Sequence, residues 1–108
     1  MEIRSKQRAQ LRGMANGIDT ILQVGKEGLT DSIIHQADEA LEARELIKGR
    51  VLETAMLTAR EVCDQLAKAT RSEPVQVIGS KFVLYRETHA RPKDKRIQLV
   101  TDRKKKQG

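Results

Sequence analysis

The sequence predicts an α/β fold in one domain, with the element order α-β-α-β-α-β-β. Three segments carry apolar residues at the spacing of an amphipathic helix, and each is followed by a short apolar segment typical of a strand. The last of these segments is a hairpin. The length of 108 residues suits a single modest core and is too short for two domains.

The first helix is expected to begin at Ser5 and to end at Asn16-Gly17. Its apolar stripe follows the i, i+3, i+4, i+7 pattern and consists of Leu11, Met14, Ala15 and Ile18. Residues 20–24 then form a short apolar segment, which predicts a buried strand.

Gly25-Lys26-Glu27-Gly28 connects this strand to the second helix. Glycine allows positive φ and close approach of another backbone, and the first turn of a helix offers unpaired N–H groups. Thr30 is a suitable N-cap for that helix. The loop is therefore a candidate phosphate site, and an ordinary strand-to-helix turn is the alternative.

The second helix is expected over residues 31–45 and the second strand over residues 46–52. Alternation along that strand places Lys48 and Arg50 on one side, while Gly49 at its centre suggests a bulge. A capping box at Thr58 marks the start of the third helix. Residues 75–78 and 81–85 form the hairpin, whose Gly79-Ser80 pair suits a II′ turn.

The net charge of +6 lies mostly at the carboxyl end. Residues 87–108 contain eight basic and three acidic side chains, whereas residues 1–86 contain 13 and 12. Total charge is thus weak evidence for a nucleic-acid partner. The informative property is how the basic side chains are distributed over the folded surface. Residues 97–100 suggest an added edge strand, and residues 101–108 a disordered basic tail.

No pattern of residues indicates catalysis, and we expect a protein that is not an enzyme. Cys63 falls on the apolar stripe of the third helix, so core packing is the better interpretation than a nucleophile. His35 and His89 are expected at the surface. One cysteine and two scattered histidines have no metal-site spacing, and we expect no metal, cofactor or small-molecule substrate. The lack of a long apolar run predicts a cytoplasmic protein without membrane contact.

Binding of RNA through its backbone is the chemistry that the residues favour. With Phe82 and Tyr85 as the only aromatic residues, the chain cannot form a stacking platform. A glycine loop at a helix start can instead clamp the backbone, as in KH domains. Scattered solubilising charge is the alternative. The cations that could line one surface with the loop are Lys26, Lys6, Arg8, Arg12, Lys48 and Arg50.

Five ordered motifs between about residues 3 and 100 carry a resemblance to a known family. They are Ser5-Lys6-Gln7-Arg8 with Leu11-Arg12-Gly13-Met14-Ala15, then Val24-Gly25-Lys26-Glu27-Gly28-Leu29-Thr30, then Ala40-Leu41-Glu42-Ala43-Arg44-Glu45-Leu46-Ile47-Lys48, then Val75-Gln76-Val77-Ile78-Gly79, and Val83-Leu84-Tyr85-Arg86. The chain resembles the bacterial YhbY-type proteins with a single CRM (chloroplast RNA splicing and ribosome maturation) domain.

The resemblance implies a compact domain of four strands and three helices over residues 1–100, similar to the carboxy-terminal domain of translation initiation factor three. It also implies binding to RNA of large ribosomal subunit precursors and a role in ribosome assembly, and we expect a monomer. Its RNA-binding residues map onto Gly25, Lys26, Glu27 and Gly28 of the loop, onto Lys6, Arg8 and Arg12, and onto Lys48. Gly49 and Glu27 depart from the family pattern.

The main alternative function is a protein-interaction module. Such a module would dock on ribosomal proteins, and its basic tail would contact RNA only incidentally. An RNA nuclease and a structural nucleoid protein are weaker alternatives, because the sequence offers neither a metal cluster nor a strongly charged folded part.

Overall fold

The computed structural model describes residues 3–90, 92 and 96–100, and it confirms the predicted α/β class and element order. Each expected boundary lies within two residues of the observed one. In the described part of the chain the helices are α1 (Ser5–Ala15), α2 (Asp31–Arg44) and α3 (Ala59–Thr70). The strands are β1 (Thr20–Val24), β2 (Leu46–Val51), β3 (Glu73–Ile78) and β4 (Lys81–Tyr85).

The four strands form one mixed sheet in the order β1-β2-β4-β3. β1 and β2 are parallel, and β4 is antiparallel to both β2 and β3. The carboxyl ends of β1 and β2 therefore lie at the same end of the sheet as the β3–β4 turn. We call this the loop end, because the glycine loop of residues 25–28 follows β1 there.

The helices cover opposite faces of the sheet, because side chains alternate along each strand. On the face covered by α2 and α3, the larger core includes Leu22, Val24, Leu41, Ile47, Val62, Cys63, Leu66, Phe82 and Leu84. On the face covered by α1, the smaller core consists of Ile3, Leu11, Ala15, Leu46, Val75, Val83 and Tyr85. Met14 of the predicted stripe is 40% exposed and borders this core.

Gly49 lies at the centre of β2, opposite Phe82 of β4. A Cβ atom built on Gly49 would lie 2.3 Å from Cζ of Phe82. The Phe82 ring is fully buried in the larger core and has no free space into which to move. The pairing of β2 with β4 continues through Gly49 without a register shift, whereas the pairing of β1 with β2 shifts register between Thr20 and Leu22, opposite Lys48 and Gly49, so the extra residue of the expected bulge lies in β1 and not in β2. The glycine is instead required by the packing of the ring.

The predicted turn and capping residues occupy the expected geometry. Thr30 Oγ1 accepts the N–H of Ile33 at 3.2 Å. Thr58 and Glu61 form the reciprocal capping box, with distances of 2.8 Å and 3.1 Å. Gly79 has φ of 58°, and Ser80 is not among the residues with positive φ, as a II′ turn requires.

Glu45 connects the end of α2 to the chain after β4. It is fully buried and has φ of 69°. Its carboxylate accepts the N–H of Thr88 at 3.2 Å and the N–H of Ile97 at 2.7 Å. Its carbonyl oxygen accepts the N–H of Arg86 at 2.8 Å. One buried carboxylate thus fixes two points of the carboxyl-terminal segment.

Residues 97–100 do not form the suggested edge strand. Side-chain amides of α1 take the place of a neighbouring strand: Gln10 donates to the carbonyl of Gln98 and Gln7 donates to the carbonyl of Val100. The N–H of Val100 donates to Oε1 of Gln10. This segment therefore runs along α1 and not along the sheet. The expected tail at residues 101–108 lies outside the described residues.

Replacing Gly49 with alanine is expected to lower the free energy of unfolding by about 1–3 kcal/mol, because the new methyl group overlaps the Phe82 ring. Urea denaturation measures this. Gly13→Ala is the matched control, since its added Cβ meets nothing within 4 Å and a helical glycine is replaced, so stability should rise by about 0.5–1 kcal/mol. In the Gly49→Ala/Phe82→Leu double variant, the loss should be smaller than the sum of the single losses. Additive losses would contradict the packing explanation.

Glu45→Gln is expected to destabilise the fold by about 1–3 kcal/mol, because an NH₂ group replaces one of two buried acceptors and leaves a backbone N–H unpaired. Hydrogen exchange should accelerate at Thr88 and Ile97 before it changes in β2. Glu39→Gln is the control, since the Glu39 side chain is 68% exposed. Unchanged exchange at both amides would show that the carboxylate does not fix the segment.

Candidate nucleic-acid interface

The glycine loop is a closed turn at the loop end. The N–H of Gly28 donates to the carbonyl of Gly25 at 3.0 Å, which leaves Lys26 and Glu27 exposed at the tip. Gly28 has φ of 72°, a conformation that residues with a side chain rarely adopt. Its carbonyl accepts the N–H of Thr30 at 3.2 Å. Gly28 is therefore the glycine that the turn geometry requires.

Gly25 has a different role, because its φ is not positive. A Cβ atom there would meet Leu52 Cδ1 and Thr54 Oγ1 at 3.6 Å, which is ordinary contact. The connection between β2 and α3 thus supports the loop from behind. In front, Asp31 and Ser32 begin α2, where N–H groups have no intrahelical acceptor and carry partial positive charge. The loop thus connects Lys26, an exposed cation, to the N–H groups at the start of α2.

Beside the loop, α1 leaves half of its face of the sheet uncovered, and we call this half the open sheet face. Strand pairing places two rows of residues on it. The row nearer the loop end is Gln23, Arg50, Lys81 and Ile78. The next row contains Lys48 and Gln76 on either side of Val83, which is buried in the smaller core at the border of this face. Gln23 lies two residues before Gly25, so the first row leads directly to the glycine loop.

Arg50 and Lys81 are paired directly across β2 and β4, where like charges repel each other. Among the described residues, no carboxylate pairs with Lys48, Arg50 or Lys81. The Nε atom of Arg50 is buried and has no hydrogen-bond partner there. An anion bound on the open sheet face would therefore relieve repulsion that the protein itself leaves uncompensated.

The structure separates the three predicted cations of α1. Arg8 is half-buried, and its guanidinium donates to the carbonyl of Pro74 at the start of the edge strand β3. At about 100° per residue, Arg12 lies roughly 40° from Arg8 around the helix, and Lys6 lies roughly 160° away. Arg8 thus contacts β3, Arg12 lies exposed on nearly the same side of α1, and Lys6 lies on the outer side of the helix.

Of the predicted site residues, strand pairing places Arg50 and Lys48 on the open sheet face, while Arg8, Arg12 and Lys6 of α1 lie apart from the loop. Lys81 is a further cation of the open sheet face that sequence reasoning missed. The available signal was the short Gly79-Ser80 turn, because the hairpin register and the pairing with β2 place Lys81 beside Arg50.

Both aromatic side chains lie in the cores, with Phe82 and Tyr85 exposed by no more than 1%. Neither ring is available to stack on a base. Contacts from the open sheet face are therefore limited to cations, amides and aliphatic groups.

Cys63 is fully buried, and burial raises the pKa of its thiol to about 11, with a smaller contribution from Asp64. His35 is exposed and lies 3.2 Å from the carboxylate of Glu39 on the same helix. In the described part of the chain, no group of three or more His, Cys, Asp or Glu side chains could hold a metal ion. No helix there is both long and apolar enough to cross a membrane.

Comparison with known proteins gives a matching family, similar sequences and a similar solved structure. The CRS1 / YhbY (CRM) domain matches residues 3–86. The probable RNA-binding protein YqeI of Bacillus subtilis is 45% identical over 94 residues, covering 87% of this chain and 95% of its own. An RNA-binding protein of Haemophilus influenzae is 32% identical over 82 residues, covering 76% and 83%. The solution structure of the hypothetical protein SAV1595 from Staphylococcus aureus superposes with a TM-score of 0.75 at 44% identity, covering 92% and 100%.

Cys63 is expected to resist thiol reagents in the folded protein. With a pKa of about 11, about one thiol in a thousand is ionised at pH 8, and burial blocks access to it. A disulfide reagent should therefore react slowly with the native chain and rapidly in urea. Equal rates in both conditions would show that the thiol is accessible and would reopen a chemical role for it.

Proposed function

Because the chain belongs to the CRS1 / YhbY (CRM) domain family, we propose that it is an RNA-binding protein that holds the RNA backbone with its glycine loop and open sheet face. The names of the relatives from B. subtilis and H. influenzae support RNA as the ligand. The chemistry of the surface supports the backbone as the part that is bound, since cations and amide N–H groups are its main donors.

The observation that carries this proposal is the uncompensated pair of Arg50 and Lys81 in the row that leads to the glycine loop. Folding places two cations side by side although it costs electrostatic free energy. A polyanion offsets this cost, because successive phosphates of one strand can approach the pair and the loop together. Lys26 adds a third, exposed cation at the tip of the loop.

In this mechanism the loop and the open sheet face have different parts. Exposed N–H groups near the start of α2 donate hydrogen bonds to one phosphate at the positive end of the helix. Arg50, Lys81 and Lys48 hold the neighbouring phosphates by charge. The loop has no aromatic ring for stacking and few groups that could read the edges of bases. The specificity of the loop for RNA therefore comes from the shape of the folded RNA.

The finer function that we propose is assistance in the assembly of the large ribosomal subunit. Its support is the resemblance of the five motifs to YhbY-type proteins. The protein would act as a cytoplasmic monomer on ribosomal RNA of precursor particles, without catalysis. The glycine loop and the open sheet face carry cations and amides that suit binding, and Glu27 is the one carboxylate of the loop.

Lys26→Gln and Arg50→Gln are each expected to weaken binding to large-subunit ribosomal RNA. Each should also reduce the slope of log K against log salt by about one, because one phosphate contact is lost. Lys68→Gln is the matched control, since Lys68 is an exposed cation on α3, on the other face of the sheet. Fluorescence anisotropy across a salt series measures both quantities. An unchanged slope in the two test variants would remove the loop and Arg50 from the interface.

A chain that ends at Val100 separates this proposal from the protein-interaction module. Shortening should lower the affinity only moderately if the folded surface holds the RNA.

Crosslinking in cell extract, fractionated on a density gradient, then tests the assembly role. The wild-type chain should crosslink to RNA in large-subunit precursor fractions. Loss of all crosslinks on shortening, with no effect of Lys26→Gln, would favour the module.

A further inference from the structure

We propose that a cleft on the open sheet face binds one unpaired nucleotide of the RNA, with its base in the cleft. This inference rests on the proposed RNA binding and names the part of the RNA that is recognised. The cleft has a volume of about 210 Å³. Its walls are formed by Asn16, Lys48, Gln76, Ile78, Lys81 and Val83.

The cleft is a consequence of two features of the backbone. The pairing of β3 with β4 shifts register between Pro74 and Gln76. Val75 is consequently buried in the smaller core, and Gln76 lies opposite Val83 on the same face. On the other side, α1 ends at Ala15, so that Asn16 follows at the border of the uncovered half. The cleft lies between the end of the helix and the edge strand.

The lining combines three kinds of group that together match a nucleotide. Ile78 is 62% exposed and provides an apolar surface for the flat side of a base, while Val83, at 3% exposure, closes the floor of the cleft. Asn16 and Gln76 carry amides, which can both donate to and accept from a base edge. Lys48 and Lys81 provide charge for the attached phosphate. Neither a bare anion nor an apolar ligand would use all three.

These polar groups are available for a ligand. Within the described part of the chain, the side chains of Asn16, Gln76, Lys48 and Lys81 take part in no hydrogen bond or ion pair. Ile78 is one of the few large apolar side chains exposed on the described surface. The packing of the core does not explain why Ile78 is exposed beside two cations and two amides.

The volume of the cleft limits the size of the ligand that can bind in it. Clefts for drug-sized molecules measure about 300–1,000 Å³, so a volume of about 210 Å³ is too small for most cofactors. A base inside a duplex has both of its flat sides stacked and cannot enter a cleft. Sequence-dependent recognition of RNA generally uses bases that are splayed out of loops and bulges. An unpaired nucleotide is therefore the ligand that fits in both size and chemistry.

The experiment compares two RNA hairpins that differ by one bulged nucleotide, with binding measured by fluorescence anisotropy. The wild-type chain should bind the bulged hairpin about tenfold more tightly, the order expected for one base contact. Gln76→Ala and Ile78→Ser leave the charge unchanged, and each should reduce this preference to about twofold or less, mainly because the bulged hairpin binds more weakly. Gln65→Ala, at an exposed position on α3, is the matched control.

The outcomes separate failure of the cleft from failure of RNA binding. If the wild-type chain binds both hairpins equally and the variants behave like it, the cleft proposal is wrong and RNA binding stands. If the wild-type chain binds neither hairpin, RNA binding itself is wrong.

Magnetic resonance with small probes gives a second test of the cleft. Each nucleoside monophosphate is added to the wild-type chain, with inorganic phosphate as the comparison. A mononucleotide should shift the side-chain amide signals of Asn16 and Gln76, and phosphate alone should not. Equal shifts with phosphate alone would show an anion site and would overturn the proposal.

Discussion

The register between β2 and β4 is the constraint on which both the core and the candidate interface depend. Two adjacent pairs show this: Gly49 lies opposite Phe82, and Arg50 lies opposite Lys81. The first pair packs the ring into the larger core, and the second places two cations on the open sheet face. A slip of one residue would exchange the two faces of β2, burying the cations and exposing apolar residues. The steric requirement at Gly49 therefore also keeps the cationic pair in place.

The coverage of the sheet by α1 depends on the segment after β4. Glu45 fixes Thr88 and Ile97, and the glutamines of α1 bind the backbone of residues 98–100. This segment occupies the side of α1 away from Arg8 and Arg12. The helix is thus held between the segment and β3, over the half of the sheet away from the loop end. The other half stays open because α1 ends at Ala15, before it reaches the cationic row.

The sequence predicted the elements well because their signals are local. Apolar spacing and capping residues such as Thr30 and Thr58 depend on neighbours within a few positions. Alternation was also enough to place Lys48 and Arg50 on one side of β2. Glu45 and the path of residues 97–100 were beyond reach, since each depends on contacts between distant parts of the chain. The Gly79-Ser80 turn gave the register of Lys81 in the hairpin, but its place beside Arg50 depends on the pairing of β4 with β2. For Gly49 the sequence indicated a bulge, and a register shift does lie opposite it in β1, but the physical reason for the glycine is the Phe82 ring on β4.

Net charge would have been a poor guide to the interface, since residues 1–86 are nearly neutral with 13 basic and 12 acidic side chains. The fold brings Lys48, Arg50 and Lys81 together on the open sheet face. On α2, the carboxylates of Asp38 and Glu42 bind Arg86, and Glu39 lies beside His35. The cations of the open sheet face lie on the opposite side and have no such partners among the described residues. A polyanion that approaches the described part of the domain therefore meets unpaired cations on the open sheet face, whereas the carboxylates of Asp38 and Glu42 on α2 are already paired with Arg86.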